Sequence, residues 1–136
     1  MRVVPRVVLI MVLVGAVAAC KRPPAADTAE GTYRLFLAQL DRGQARQAWQ
    51  LLSPATRDKV SARSKELVAA SNGLVRDEPE LLLFQGSRPG PVTEIKARTA
   101  ESNTTVLEVT TASGSQDVRL VKDESGRWLI DLSDKL

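Results

Sequence analysis

The chain has 136 residues, with 19 Lys+Arg, 16 Asp+Glu, one Cys and no His. That length holds one ordinary domain, and a 26% charged, 43% hydrophobic composition is that of a globular chain, not a disordered one. The lack of His removes the commonest general base and metal ligand, and a single Cys excludes an intramolecular disulfide or a multi-cysteine metal site.

Residues 1–19 stand apart. Arg2 and Arg6 form a charged start, and Val7 to Ala19 carries no charge. This is the layout of a secretory signal, and an apolar run of about 13 residues falls short of the ~20 needed to span a bilayer. The run ends Val17-Ala18-Ala19-Cys20, small residues before the only Cys in the chain. It resembles a bacterial lipobox. The resemblance implies diacylglycerol on the Cys20 thiol, cleavage before Cys20 and acylation of the new amine. The expected address is then the bacterial cell envelope, outside the cytoplasm, with the membrane as partner through Cys20. Without residues 1–19 the formal charge of +3 falls close to neutral, so no strong basic field for nucleic acid remains. Residues 20–26 read as the lipidated Cys and a short tether, which Pro23 and Pro24 keep extended. Residues 27–136 are expected to form a single α+β domain.

Three helical segments and one undecided apolar run come next. Asp27-Thr28-Ala29-Glu30 matches a capping box with Asp27 as cap. Ala29, Tyr33, Phe36, Leu37 and Leu40 then recur at helical spacing until Gly43 stops the helix. A second short helix carries Ala45, Ala48, Trp49 and Leu52 on one face. Ser53-Pro54 opens a third, reaching about Ser71, with Val60, Leu67 and Val68 as its apolar stripe and Asn72-Gly73 as its stop. Asp77, Glu78 and Glu80 supply helix-start charges ahead of Leu81-Leu82-Leu83-Phe84, which fits either a helical turn or a buried strand.

After the Gly/Pro-rich stretch at 86–91 the pattern switches to period two, with strands at about 92–100, 104–112, 115–123 and 127–133. Three short turns set the register. They pair Ala97 with Leu107, Leu107 with Leu120 and Leu120 with Ile130. They also pair Ile95 with Val109, Val109 with Val118 and Val118 with Leu132. Both rows are apolar, which predicts a four-stranded antiparallel meander with one core face. The same register lines up Lys96, Glu108, Arg119 and Asp131 on the opposite face, beside Val106, Val121 and Leu129. Such a row is a solvated face with cross-strand pairs, or else a partner-binding surface. Phe36, Trp49 and Trp128 are expected in the core, with an apolar pocket lined by them as the functional alternative.

The stretch from Tyr33 to Ser53 (YRLFLAQLDRGQARQAWQLLS) is similar to the opening of small bacterial lipoproteins with a nuclear-transport-factor-2-like domain. Gly126-Arg127-Trp128-Leu129-Ile130 resembles that family's last strand. The resemblance covers most of residues 28–132 and implies a curved sheet wrapped around helices as a cone. Enzymes of that fold, such as ketosteroid isomerases, place an Asp or a His–Asp pair inside the cone. Here Glu108 and Asp131 fall on the outward face. No Gly-rich phosphate loop or calcium-loop spacing occurs, and no cofactor or metal is expected. The expected function is a non-enzymatic envelope lipoprotein that binds a protein partner or the cell-wall environment. A carrier of small apolar ligands is the alternative, and an isomerase-like enzyme the third reading.

Overall fold

The computed structural model describes residues 27–85 and 89–136. The expected signal, Cys20 and the tether lie outside the described residues. Helices α1 (Ala29–Asp41), α2 (Ala45–Gln50), α3 (Pro54–Ala70) and α4 (Pro79–Phe84) come first. Strands β1 (Val92–Ala100), β2 (Thr104–Thr111), β3 (Gly114–Lys122) and β4 (Trp128–Asp131) follow, and then a 3-10 turn at Ser133–Lys135. The strands form one antiparallel sheet in sequence order, an α+β arrangement with a meander.

Local chemistry accounts for the helix limits. Thr28, not Asp27, caps α1: its hydroxyl accepts from the Gly31 N–H at 3.0 Å. Glu30 is left to pair with Arg34 one turn on, at 2.8 Å. Ser53 caps α3 as expected, accepting from the Thr56 N–H. The face that α3 buries keeps only part of the predicted stripe: Val60 is buried and Val68 half-buried. Thr56, Val60 and Ser64 are buried, while Leu67 is 37% exposed. Four-residue spacing puts these three on one side, and the two hydroxyls are tolerated there because each donates to a carboxylate, Thr56 to Asp131 and Ser64 to Asp77. The ambiguous Leu81–Phe84 run is helical. Pro79 starts it, where its fixed φ suits a helix and its missing N–H costs nothing.

The core lies between α1, α2 and one sheet face. Tyr33, Phe36, Ala48 and Leu52 meet Leu107, Val109, Val118, Leu120 and Ile130 there. Phe36 stands edge-on to Phe84, with ring centroids 5.7 Å apart, which draws α4 onto the same cluster. Trp49 and Trp128 pack against this core but stay half-buried. The α2–α3 connection runs parallel to β4, with Leu52 beside Ile130. The Ser53 N–H donates to the Ile130 carbonyl and the Ile130 N–H to the Leu51 carbonyl, both at 2.8 Å.

Two of the three registers follow the turn lengths. Ile95 faces Val109, Ala97 faces Leu107, and Leu120 faces Ile130. The β2–β3 pairing is displaced by two residues: Leu107 faces Val118, Thr105 faces Leu120, and Val109 faces Gln116. Its turn is Ala112-Ser113, closed by Thr111 opposite Gly114, and not Ser113-Gly114. Gly114 leaves the turn at φ 129, which side chains rarely adopt. The Thr111 hydroxyl accepts from the Ser113 N–H at 3.3 Å and holds the turn. A two-residue shift preserves side-chain parity, so the apolar residues Leu107, Val109, Val118 and Leu120 still face the helices, while Ala97 on β1 is exposed. Strand β1 also carries irregularities between Val92 and Glu94 and between Ala97 and Thr99.

Leu120 is fully buried at the centre of the cluster. Leu120→Ala should therefore lower the free energy of unfolding by about 2–5 kcal/mol. Urea denaturation measures it, and a loss under about 1 kcal/mol would contradict the core assignment.

Candidate functional site

The densest polar cluster sits where β4 meets the N-terminus of α3. The Asp131 Oδ1 accepts from the Ser53 hydroxyl at 3.1 Å, the Thr56 hydroxyl at 3.2 Å and the Ser133 N–H at 3.1 Å. The Thr56 hydroxyl in turn accepts from the Leu132 N–H at 2.8 Å. The other carboxylate oxygen lies 3.8 Å from Arg119 Nη1, and the Asp131 side chain is only 9% exposed. Burial pushes this carboxyl up, but the hydrogen bonds from Ser133, Ser53 and Thr56 outweigh it and leave the group below the usual carboxylate range. A negative charge at a helix start is favourable as well. Chemically, the cluster is closed. Its hydroxyls donate to a carboxylate that is a poor base, so it fastens α3 to the sheet.

Of the charged residues expected on the outer face, Lys96, Glu108 and Arg119 are at least partly exposed, but Asp131 is not: it is turned against Ser53 and Thr56 at the start of α3, and the four do not form one row. Lys96 faces Glu108, and Arg119 faces Asp131. The β2–β3 displacement places Arg119 opposite Val106, and Glu108 opposite Asp117, a like-charged pair. Arg98, at the β1 irregularity, relieves that repulsion. Its Nε is 3.5 Å from Glu108 and its Nη1 is 3.0 Å from Asp117. Lys96 pairs along its own strand with Glu94 at 3.0 Å. Arg119 reaches Asp134 at 3.2 Å. The apolar members are not open to a partner either: Leu129 is 4% exposed, and Val106 and Val121 are half-buried. The four-charge row is thus replaced by short, separate ion pairs.

The aromatic pocket is absent from the described grooves. Phe36 is buried, Trp49 half-buried, and Trp128 lies under the Lys122 ammonium, 5.1 Å from the ring centroid. An open groove of about 630 Å³ lies elsewhere, between the C-terminal end of α1, the 74–78 segment and α4. Leu40, Leu74, Val75, Leu81 and Phe84 line it, with Arg76 at its side. Leu74 is 89% exposed, Val75 46% and Leu81 47%. A second groove of about 400 Å³ lies between α3, α4 and Leu136.

The sequence held a signal for the first groove: an apolar Leu74-Val75 pair directly after an Asn-Gly helix stop, and three leucines on a helix too short to bury them all. For the Asp131 cluster the signal was weaker, a Ser-Pro cap followed three residues later by Thr56. Among the described residues no cluster of three or more His, Cys, Asp or Glu is arranged to hold a metal ion, and no helix is long and apolar enough to cross a membrane. No family model, no curated protein and no solved structure matches this chain.

The depressed Asp131 pKa fixes the sign of a pH effect. Its folded value lies below its unfolded one, so the stabilisation is full above about pH 4 and is lost as pH falls through the lower native value. Asp131→Asn should cost about 1–3 kcal/mol at neutral pH, and the gap to the native chain should narrow in acid. Urea melts across that range measure it, and a gap that does not change with pH would contradict a bound carboxylate.

Proposed function

We propose that this chain is a bacterial envelope lipoprotein, held to the membrane through Cys20, whose domain works by binding and not by catalysis. The observation that carries the proposal is the start of the sequence: Arg2 and Arg6, the uncharged run Val7 to Ala19, and Ala18-Ala19 before the only Cys. Two or three acyl chains, at about 0.8 kcal/mol for each buried CH₂, hold a small domain firmly. Lys21 and Arg22 add about 1 kcal/mol each beside anionic headgroups.

The resemblance to nuclear-transport-factor-2-like lipoproteins supports a binding role. Helices that precede an antiparallel meander agree with that family's order of elements. The two irregularities in β1 support the curved, cone-like sheet it implies, because bulges bend strands. An isomerase-like enzyme requires a carboxylate open to substrate, whereas Asp131 Oδ1 already accepts three hydrogen bonds. An apolar-ligand carrier keeps one observation in its favour, the groove beside α4, which lies away from the aromatics that first suggested it.

The test is metabolic labelling of the full chain in a bacterial host with a clickable fatty acid. The native chain should take up label and partition with membranes, and Cys20→Ala should do neither. Mass spectrometry that finds an unmodified Cys20 thiol in the native protein would overturn the proposal.

A further inference from the structure

The groove beside α4 carries exposed apolar side chains that the core does not use. Its rim is formed by Leu74 and Val75, which follow the left-handed pair Asn72 (φ 52) and Gly73 (φ 80), and by Leu81 on α4. Leu74 is the most exposed large apolar residue of the described chain, at 89%. Nothing within the described chain covers it. The Leu74-Val75 pair, projected on a turn, suits insertion into a soft apolar phase better than reception of a rigid partner.

The length of chain before α1 says what can reach this rim. Seven peptide steps separate Cys20 from Asp27, a reach of at most about 25 Å. Helix α1 is about 20 Å long, from Ala29 to Asp41, and the groove lies at its far end, at Leu40 and Gly43. A lipid on Cys20 therefore holds the start of α1 within about 25 Å of the bilayer and leaves the groove, about 20 Å further along the helix, free to reach it. With α1 lying along the surface, the anchor and the rim touch the same leaflet.

We propose that the Leu74–Val75–Leu81 rim rests in the membrane interface as a second contact beside the lipid on Cys20. This rests on the lipoprotein reading above. The lipid sets the distance and the rim sets the orientation, with α4 and the end of α1 toward the bilayer and the outer face of the sheet away from it. Arg76 beside the rim can reach lipid phosphates while Glu78, which lines the same groove, faces the amines of zwitterionic headgroups and the leucines enter the acyl boundary.

The native chemistry supplies a clean probe. In the lipidated chain the only cysteine is occupied by its thioether, so Leu74→Cys adds the sole free thiol. Lys96→Cys, on the outer sheet face, is the control. Each full-length lipidated variant is labelled with an environment-sensitive fluorophore and placed in phosphatidylethanolamine–phosphatidylglycerol vesicles that carry a spin-labelled lipid. The label at 74 should be quenched several-fold more than the label at 96. Equal quenching at both sites, or none at 74, on a chain whose lipid is verified by mass spectrometry overturns this inference and leaves the lipoprotein reading standing. Disulfide-linked dimers through Leu74→Cys in place of quenching would assign the rim to a second copy and overturn it too. A chain with no lipid on Cys20 overturns both.

Discussion

Everything in this domain turns on the short strand β4. It has four residues, too few to hold a sheet edge alone, yet Ile130 is completely buried. It is held on both sides. Leu120 pairs with Ile130 from within the sheet, and the α2–α3 connection supplies Leu51 and Ser53 as backbone partners on the other edge. That connection also buries Leu52 against Ile130. Ser53 is the hinge of the arrangement. Its N–H bonds the strand, its hydroxyl caps α3, and the same hydroxyl donates to Asp131 one residue beyond Ile130. Helices and sheet thus meet through bonds that neither can form without the other. The open edge is also removed from the list of surfaces on which another chain could add a strand.

This joint gives Asp131 a structural role. A carboxylate beside two hydroxyls, as Asp131 stands beside Ser53 and Thr56, suggests nucleophilic chemistry only if one of its members is free to act as a base. Here every close donor is spent on position. The electrostatics favour a fixed negative charge at the start of α3, and that is a structural role. The outer sheet face follows the same logic. Arg98 neutralises the Glu108–Asp117 opposition, so the charges there largely satisfy one another.

How much of this was legible in the sequence depends on which physical constraint spoke. The period-two pattern of apolar residues marked all four strands and put Leu107, Val109, Val118, Leu120 and Ile130 on the core face. Burial fixes parity only, however. It cannot separate a register from one displaced by two residues, because both keep the same side chains inside. The choice between Ser113-Gly114 and Ala112-Ser113 as the turn fell to the Thr111 hydroxyl and the φ of Gly114, which periodicity does not encode. The expected charge row failed for that reason while the core survived. Caps were legible where a single candidate side chain stood before the helix, as at Ser53. They were misread where two neighbours competed, as at Asp27 and Thr28. The buried stripe of α3 was hidden because Thr56 and Ser64 look like surface residues until their acceptors, Asp131 and Asp77, are known. The groove beside α4 was hidden because α4 itself was undecided between helix and strand.

The dependence of the fold on the β4 joint is tested most directly by native-state hydrogen exchange. The Ser53 and Ile130 amides, bonded across the joint, should exchange only with global unfolding, with the same denaturant dependence as the amides of Leu107 and Leu120. Amides on the outer edge of β1 should exchange through smaller, local openings. If Ser53 and Ile130 exchange by local fraying while Leu107 and Leu120 remain protected, the joint is a peripheral contact and the account is wrong.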